Sequence, residues 1–394
     1  ESGNNATATL KFPKVFSSRL EAPMEGEKTF TYKLDLADKK GRSFPTLTKT
    51  LTVKAPVFEL TPSANGGDAF ACRAFLRAKV SDGTHPDNLK FQWRKVGNGS
   101  WNNCKNHTYQ TDEICDTLKN LTSGGQQYEI RAIYREKEKR VTEPIVITTE
   151  NVVELEDGSF ENWHSVIEKK HVWWKPWTEG TTGYWDTGNK GVVTASDSNT
   201  TPTTQVTWNN NGTAACLQSK NLFIKFAAGN LFMGEFLEVV DGTNGLLDFG
   251  KPFSERPTKL KGHYKYVPQN VTILPTNSDD KKAFEFLKNK PDTCSIYIAL
   301  GDWDSPVRIC TTPSKRQLFD KNDEHIIAYA ELNSGKAMTE YEPFELKLDY
   351  RVTNRVPKYI VVVCSASKYG DYFAGGDGST LWVDDFSLEY DYDN

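Results

Sequence analysis

The stretch LWVDDFSLEYD (381–391) decides the fold. Apolar and polar side chains alternate along it, the period of a strand with one buried face, and a pair of acids sits in its middle. The same alternation recurs in TFTYKLDL (29–36), TLTKTLTV (46–53), EPIVITT (143–149), FIKF (223–226), SIYIAL (295–300) and FELKLDYRV (344–352). Clusters of Pro, Gly, Asn and Asp separate these runs. Only DDKKAFEFLKNK (279–290) has helical spacing, with Ala283, Phe284 and Leu287 on one face, and it predicts one short helix. The pattern is that of an all-β protein of sandwich type.

A chain of 394 residues predicts two or three domains, each able to bury its own core. Ten Trp, sixteen Tyr and twenty-one Phe exclude a disordered or collagen-like chain. With 48 basic and 52 acidic side chains the net charge is −4, which provides no general field for nucleic acid or an anionic membrane. No apolar run is long enough to span a bilayer. The chain starts at Glu1 rather than Met, so a processed product is expected, with any signal peptide or lipid anchor upstream. Seven scattered cysteines include no CxxC and no Cys/His cluster, which argues against a zinc site. Cys310 and Cys364 lie in apolar runs and read as small buried hydrophobes.

Between residues 56 and 150 the order VFELTPS, AFACRAFLRAKV, LKFQWRKV, LKNLTSGGQQYEIRAIY and RVTEPIVITTE gives one sandwich. Leu121, Gly124 and Tyr128 in it resemble the tyrosine corner of immunoglobulin and fibronectin III-like domains. Residues 1–55 are expected to form a short β-segment, either a small unit of its own or strands shared with that domain. REKEKR (135–140) alternates in sign and predicts a solvated hairpin. Residues 151–394 exceed a plain seven-stranded sandwich and suit a jelly-roll β-sandwich with long loops. The expected fold is therefore an N-terminal immunoglobulin/fibronectin III-like sandwich followed by a C-terminal jelly roll.

LEDGSFENW (155–163) and LWVDDFSLEY (381–390) resemble the two ends of galactose-binding-like jelly rolls, common among carbohydrate-binding modules. That resemblance implies adjacent first and last strands. It also implies a structural calcium held by Glu161 and Asp384, with Asp157 and Asp385 nearby. More closely, KNLFIKFAAGNLFMGEF, GKPFSERPTKLKGHYKYVP, CSIYIALGDWD and STLWVDDFSLEY resemble the putative carbohydrate metabolism domain of gut Bacteroidales, over roughly residues 155–392. The resemblance implies the jelly-roll fold and a glycan as substrate class.

Five Trp fall between positions 163 and 185, most of them in HVWWKPWTEGTTGYWDTG (171–188). Sugars present flat C–H faces to aromatic rings and hydroxyls to Asp, Asn and Arg, so Trp174, Trp177, Trp185 and Asp186 are sugar-binding candidates. GDWDSPVR (301–308) follows a strand and offers Asp302, Trp303, Asp304 and Arg308; the Gly-rich YGDYFAGGDGSTLW (369–382) offers Tyr369 and Asp371, with Tyr372 and Asp377. HYKY (263–266) reads as sheet core. The expected function is extracytoplasmic, monomeric binding of an oligo- or polysaccharide by ring stacking, with membrane contact only through an upstream lipid anchor. One alternative is a glycoside hydrolase using two carboxylates among Asp186, Glu235, Asp302, Asp304 and Asp371. Another is a structural surface protein assembling through sheet edges. No nucleophile elbow or HExxH spacing occurs.

Overall fold

A computed structural model describes residues 23, 26–62, 68–80, 86–135, 140–222 and 225–391. Most of REKEKR and half of FIKF lie outside these residues. The strands Glu27–Leu34 and Leu47–Lys54 form one antiparallel hairpin, from Glu27 opposite Lys54 to Leu34 opposite Leu47, and most of it is exposed.

A sandwich follows. One sheet orders Phe58–Leu60, Ala74–Val80, Glu113–Leu118 and Thr108–Tyr109; the other centres on Gln127–Tyr134 beside Leu89–Lys95. Ala74, Leu76, Ala78 and Val80 alternate inward against Leu89, Phe91, Ile114 and Ile130. The Tyr128 hydroxyl accepts the Thr122 amide at 3.0 Å. This is the bond a tyrosine corner exists to make.

The C-terminal part is a second, larger sandwich. Its nine-stranded sheet orders Val307–Cys310, Asn244–Phe249, Asn230–Val240, Tyr359–Ser365, Cys294–Gly301, Ile326–Ser334 and Asp349–Tyr350, with the short pieces Trp185–Asp186 and Lys251–Pro252 added. Its five-stranded sheet orders Thr200–Thr203, Ala214–Gln218, Thr380–Glu389, Lys259–Val267 and Glu342–Lys347. The deciding stretch is therefore a central strand. Leu381 and Val383 point inward, and Phe386 does so one residue out of phase. A left-handed Asp385 (φ 55°) opposite a register shift between Lys261 and His263 absorbs the extra residue as a β-bulge.

The expected adjacency of first and last strands is corrected. Residues 155–163 form a turn rather than a strand, because Asp157 and Phe160 both take left-handed backbone angles. Phe160 plugs the core against Phe386 and Trp185, and the Phe386 amide donates to the Gly158 carbonyl at 2.8 Å. The predicted helix forms as Ser278–Phe284 with a 3-10 turn Glu285–Leu287, capped by Asn277, whose side chain accepts the Asp280 amide. It lies on the surface.

Both faces of the nine-stranded sheet carry hydrophobic clusters. Leu231, Met233, Ile296, Ile298, Ile360 and Val362 face the sandwich interior, whereas Phe232, Phe236, Phe249, Ala299, Val361 and Val363 face outward. Loops cover the outward cluster, which explains continuous apolar runs such as YIVVVC (359–364). Tyr264 and Tyr266 are core, as HYKY suggests. All seven cysteines are free; Cys364 is buried, but Cys310 is only half-buried, because its strand forms the sheet edge.

Arg256 joins the two sandwiches. Its fully buried guanidinium donates to Glu150 and to the carbonyls of Ala69 and Thr353, and lies 3.8 Å from the Phe70 ring centroid.

Candidate functional site

The loops over the outward face of the nine-stranded sheet enclose two neighbouring hollows. The first is a cleft of about 320 Å³ under the hairpin His164–Glu168/His171–Lys175. Trp173 and Trp177 line it, with Asp186, Glu235, Lys175, Lys190 and Lys251. Adjacent strand residues point to opposite sides, so Trp173 reaches the cleft and Trp174 does not. The Trp177 ring lies where a Cβ on residue 183 would approach within 2.5 Å, so only Gly183 admits it. His164 packs edge-on to that ring at 5.7 Å and bonds the Trp177 carbonyl. The Lys175 ammonium stands 4.3 Å from the Trp173 centroid and 5.8 Å from that of Trp177.

Register sorts Trp185 from Asp186. Trp185 pairs with Met233 and enters the interior, while Asp186 pairs with Phe232 and faces outward. Asp186 accepts the Thr187 and Phe236 amides, each at 2.7 Å. Burial pushes its carboxyl up to about 6, against those two bonds, with the Glu235 charge adding and Lys251 opposing. Glu235 itself is exposed. Lys190 and Lys251 donate to the carbonyls of Leu237 and Gly183, which ties their ammonium groups to the cleft walls.

The second hollow is a chamber of about 180 Å³. Phe232, Phe236, Phe249, Tyr297 and Val363 of the sheet face it, with Phe226 from the short strand Phe226–Ala227 and Phe373 from a loop. Lys225, Asn230, Asn244, Ser365 and Asp371 bring polar groups. Burial lowers the Lys225 ammonium to about 8, and the Arg316 charge adds to this. Asp371 is exposed at the chamber edge, where desolvation by neighbouring protein raises its carboxyl against the pull of Arg316. Phe236 lines both hollows.

The structure brings Trp177, Asp186 and Asp371 to these hollows and removes other candidates. Trp185 is 1% exposed, its indole N–H donating to the Glu156 carbonyl at 3.0 Å, so it forms core beneath the cleft instead of a stacking face. Trp303 is 7% exposed, packed over Gly301 and against Phe319. Asp302 accepts from Arg355 at 3.0 Å and contacts His325; Asp304 pairs with Lys358 and Arg308 with Asp248. The first two brace loops, the Arg308–Asp248 pair links neighbouring strands, and none lines either hollow. Tyr369 and Tyr372 pack on Phe284, at 5.2 and 4.6 Å, and Asp377 accepts the Asn221 amide. Tyr369 thus secures the surface helix rather than the chamber.

Trp173 and Lys225 were missed. Trp173 was recoverable from the alternation of VWW once the face of Asp186 was known, but nothing local marks Lys225.

The expected calcium pair takes another role. Glu161 accepts the Thr213 amide at 3.1 Å and Asp384 the Trp208 amide at 3.2 Å, so both organise the 208–213 loop. Burial raises the Asp384 carboxyl to about 6 against the Trp208 bond, the charges of Asp385 and Glu161 adding. Among the described residues no group of three His, Cys, Asp or Glu side chains is placed to hold a metal ion. Beside them the Trp208 ring stacks flat on His263, centroids 3.8 Å apart. Among the described residues no helix is long and apolar enough to cross a membrane.

Among solved structures, a "putative glycoside hydrolase" from Bacteroides vulgatus is 22% identical, matching 59% of this chain and 97% of its own, with a TM-score of 0.44. A "putative glycoside hydrolase" from Bacteroides thetaiotaomicron is 17% identical over 95% of this chain and 100% of its own, also at 0.44. A SusE-like protein aligns at 11% identity over 84% of this chain and 96% of its own, with a TM-score of 0.22. No curated protein matches. The family model described as "Putative carbohydrate metabolism domain" matches residues 159–389, which contain both hollows and both sheets of the larger sandwich, and the chain belongs to that family.

Proposed function

We propose that this protein binds an oligo- or polysaccharide in the Trp173–Trp177 cleft, acting as a monomer outside the cytoplasm in carbohydrate metabolism. The observation that carries this reading is the cleft's composition: two indole rings, held by Gly183 and His164, beside Asp186, Glu235 and three lysines. The rings take the C–H faces of a sugar, and the charged groups take its hydroxyls. The cleft volume sits at the lower end of the roughly 300–1,000 Å³ range of small-ligand pockets. Calorimetric titration with a panel of plant and host oligosaccharides tests the reading. It predicts saturable binding that Trp177→Ala removes, and absence of binding across the panel contradicts it.

A second reading is glycoside hydrolysis, favoured by one observation: the raised Asp186 carboxyl lies beside the exposed Glu235, two carboxylates in different environments. Against it, both Asp186 oxygens already accept backbone amides, which holds the group as a scaffold anion. Hydrolysis of any panel member, lost in both Asp186→Asn and Glu235→Gln, would establish it.

A further inference from the structure

The chamber next to the cleft suits a different chemistry from the cleft. Its apolar lining is mostly within strands, from Phe232, Phe236, Tyr297 and Val363, with Phe249 at a strand end, while its polar groups come from strand ends and loops. It therefore grades from a hydrocarbon floor to a polar edge. A pyranose seated on that floor would leave hydroxyls unpaired, which disfavours a bare sugar there. A flat ring fits: an apolar protein cavity of about 150 Å³ takes up benzene, and this one offers about 180 Å³ with aromatic faces on several sides.

One polar group is placed to recognise an acceptor. Lys225 donates to Thr243 Oγ1 at 3.1 Å and Asn244 Oδ1 at 2.6 Å, and lies 3.4 Å from the Phe373 centroid. An ammonium has three N–H donors, so with two on these oxygens a ligand carbonyl would compete with the Phe373 ring for the third. The chamber also shares a wall with the cleft. Phe236 serves both, and along the short turn between them Gly188 and Gly191 line the chamber while Asp186 and Lys190 line the cleft.

We propose that the chamber takes an aromatic acyl ester group carried by the glycan whose sugar occupies the Trp173–Trp177 cleft. The recognised class is thus an oligosaccharide bearing a hydroxycinnamoyl-type ester, with the ring on the phenylalanine floor and the ester carbonyl on Lys225. This rests on the glycan-binding reading of the cleft and adds the substituent.

The test is calorimetry with a feruloylated arabinoxylan oligosaccharide, its saponified counterpart, and methyl ferulate as competitor. The feruloylated form is expected to bind at least tenfold more tightly than the saponified one, and methyl ferulate to reduce that advantage. Gly191→Leu is expected to shrink the ratio toward one, because a Cβ at 191 already lies 3.4 Å from the Phe236 ring and a longer side chain occupies the chamber. The backbone at 191 is not left-handed, so the substitution carries no such strain. Equal affinity for the two oligosaccharides, with methyl ferulate without effect, overturns the proposal and leaves the cleft reading intact. Binding of methyl ferulate with no binding of either oligosaccharide overturns both.

Discussion

Asp186 Oδ2 accepts the backbone amide of Phe236 at 2.7 Å, so the half-buried carboxylate of the cleft is bonded to the residue whose ring lines both cleft and chamber. One strand pairing, Trp185 with Met233 and Asp186 with Phe232, sends the tryptophan to the core and the aspartate to the cleft. The two neighbours in sequence thereby take opposite roles.

Their opposite roles separate stability from binding. Trp185→Ala is expected to cost about 3–5 kcal/mol, the usual range for truncating a buried large aromatic side chain. Trp177→Ala, at a half-buried ring, is expected to cost about 1 kcal/mol or less. Denaturant unfolding of the two variants measures the difference.

Arg256 offers a test of the junction between the sandwiches. It is fully buried, and its partners are Glu150 and carbonyls from both sides. Burial raises the Glu150 carboxyl, and the Arg256 charge opposes that rise. Arg256→Ala leaves this carboxylate buried without its cation, an expected loss of about 3–5 kcal/mol. Calorimetric unfolding should then show two separated transitions.

The pH dependence of Asp384 has a definite sign. Its folded carboxyl titrates near 6, above the ordinary value of 3.8, so between those values the native state holds more protons than the unfolded chain. The group's contribution to stability therefore falls as pH rises from about 4 to about 6 and stays lost above that. Asp384→Asn keeps an acceptor for the Trp208 amide and removes the charge. It is expected to raise the melting temperature by a few degrees at pH 8 and to leave it unchanged near pH 3.5, as thermal scans at the two pH values will read.

The same site bears on calcium. Because Glu161 and Asp384 serve the 208–213 loop, EDTA is expected to leave the melting temperature unchanged and millimolar calcium to raise it by less than 1 °C. Differential scanning fluorimetry checks this, and a larger calcium-dependent rise contradicts it.

Much of this was legible in the sequence where information is local. Alternation marks the strands, Leu121, Gly124 and Tyr128 mark a corner whose hydroxyl bond is present, and the Trp cluster marks the cleft. The phase change between Val383 and Phe386 even encodes the bulge at Asp385. Pairing partners are not local. Trp185 and Trp303 look like Trp177 in sequence, but cross-strand register and the bare surface of Gly301 put them in cores. The acids and Arg308 of GDWDSPVR meet ion-pair partners as distant as Asp248 and Lys358. The chamber collects residues from 188 to 373, and no motif spans that range.

The central claim is that the Trp173–Trp177 cleft holds a glycan. The most direct measurement is calorimetric titration of one bound oligosaccharide into the unmodified protein and into Trp177→Ala, with circular dichroism confirming that both are folded. The account predicts a saturable isotherm for the first and at least tenfold weaker binding for the second. Equal affinity in the two proteins would contradict it.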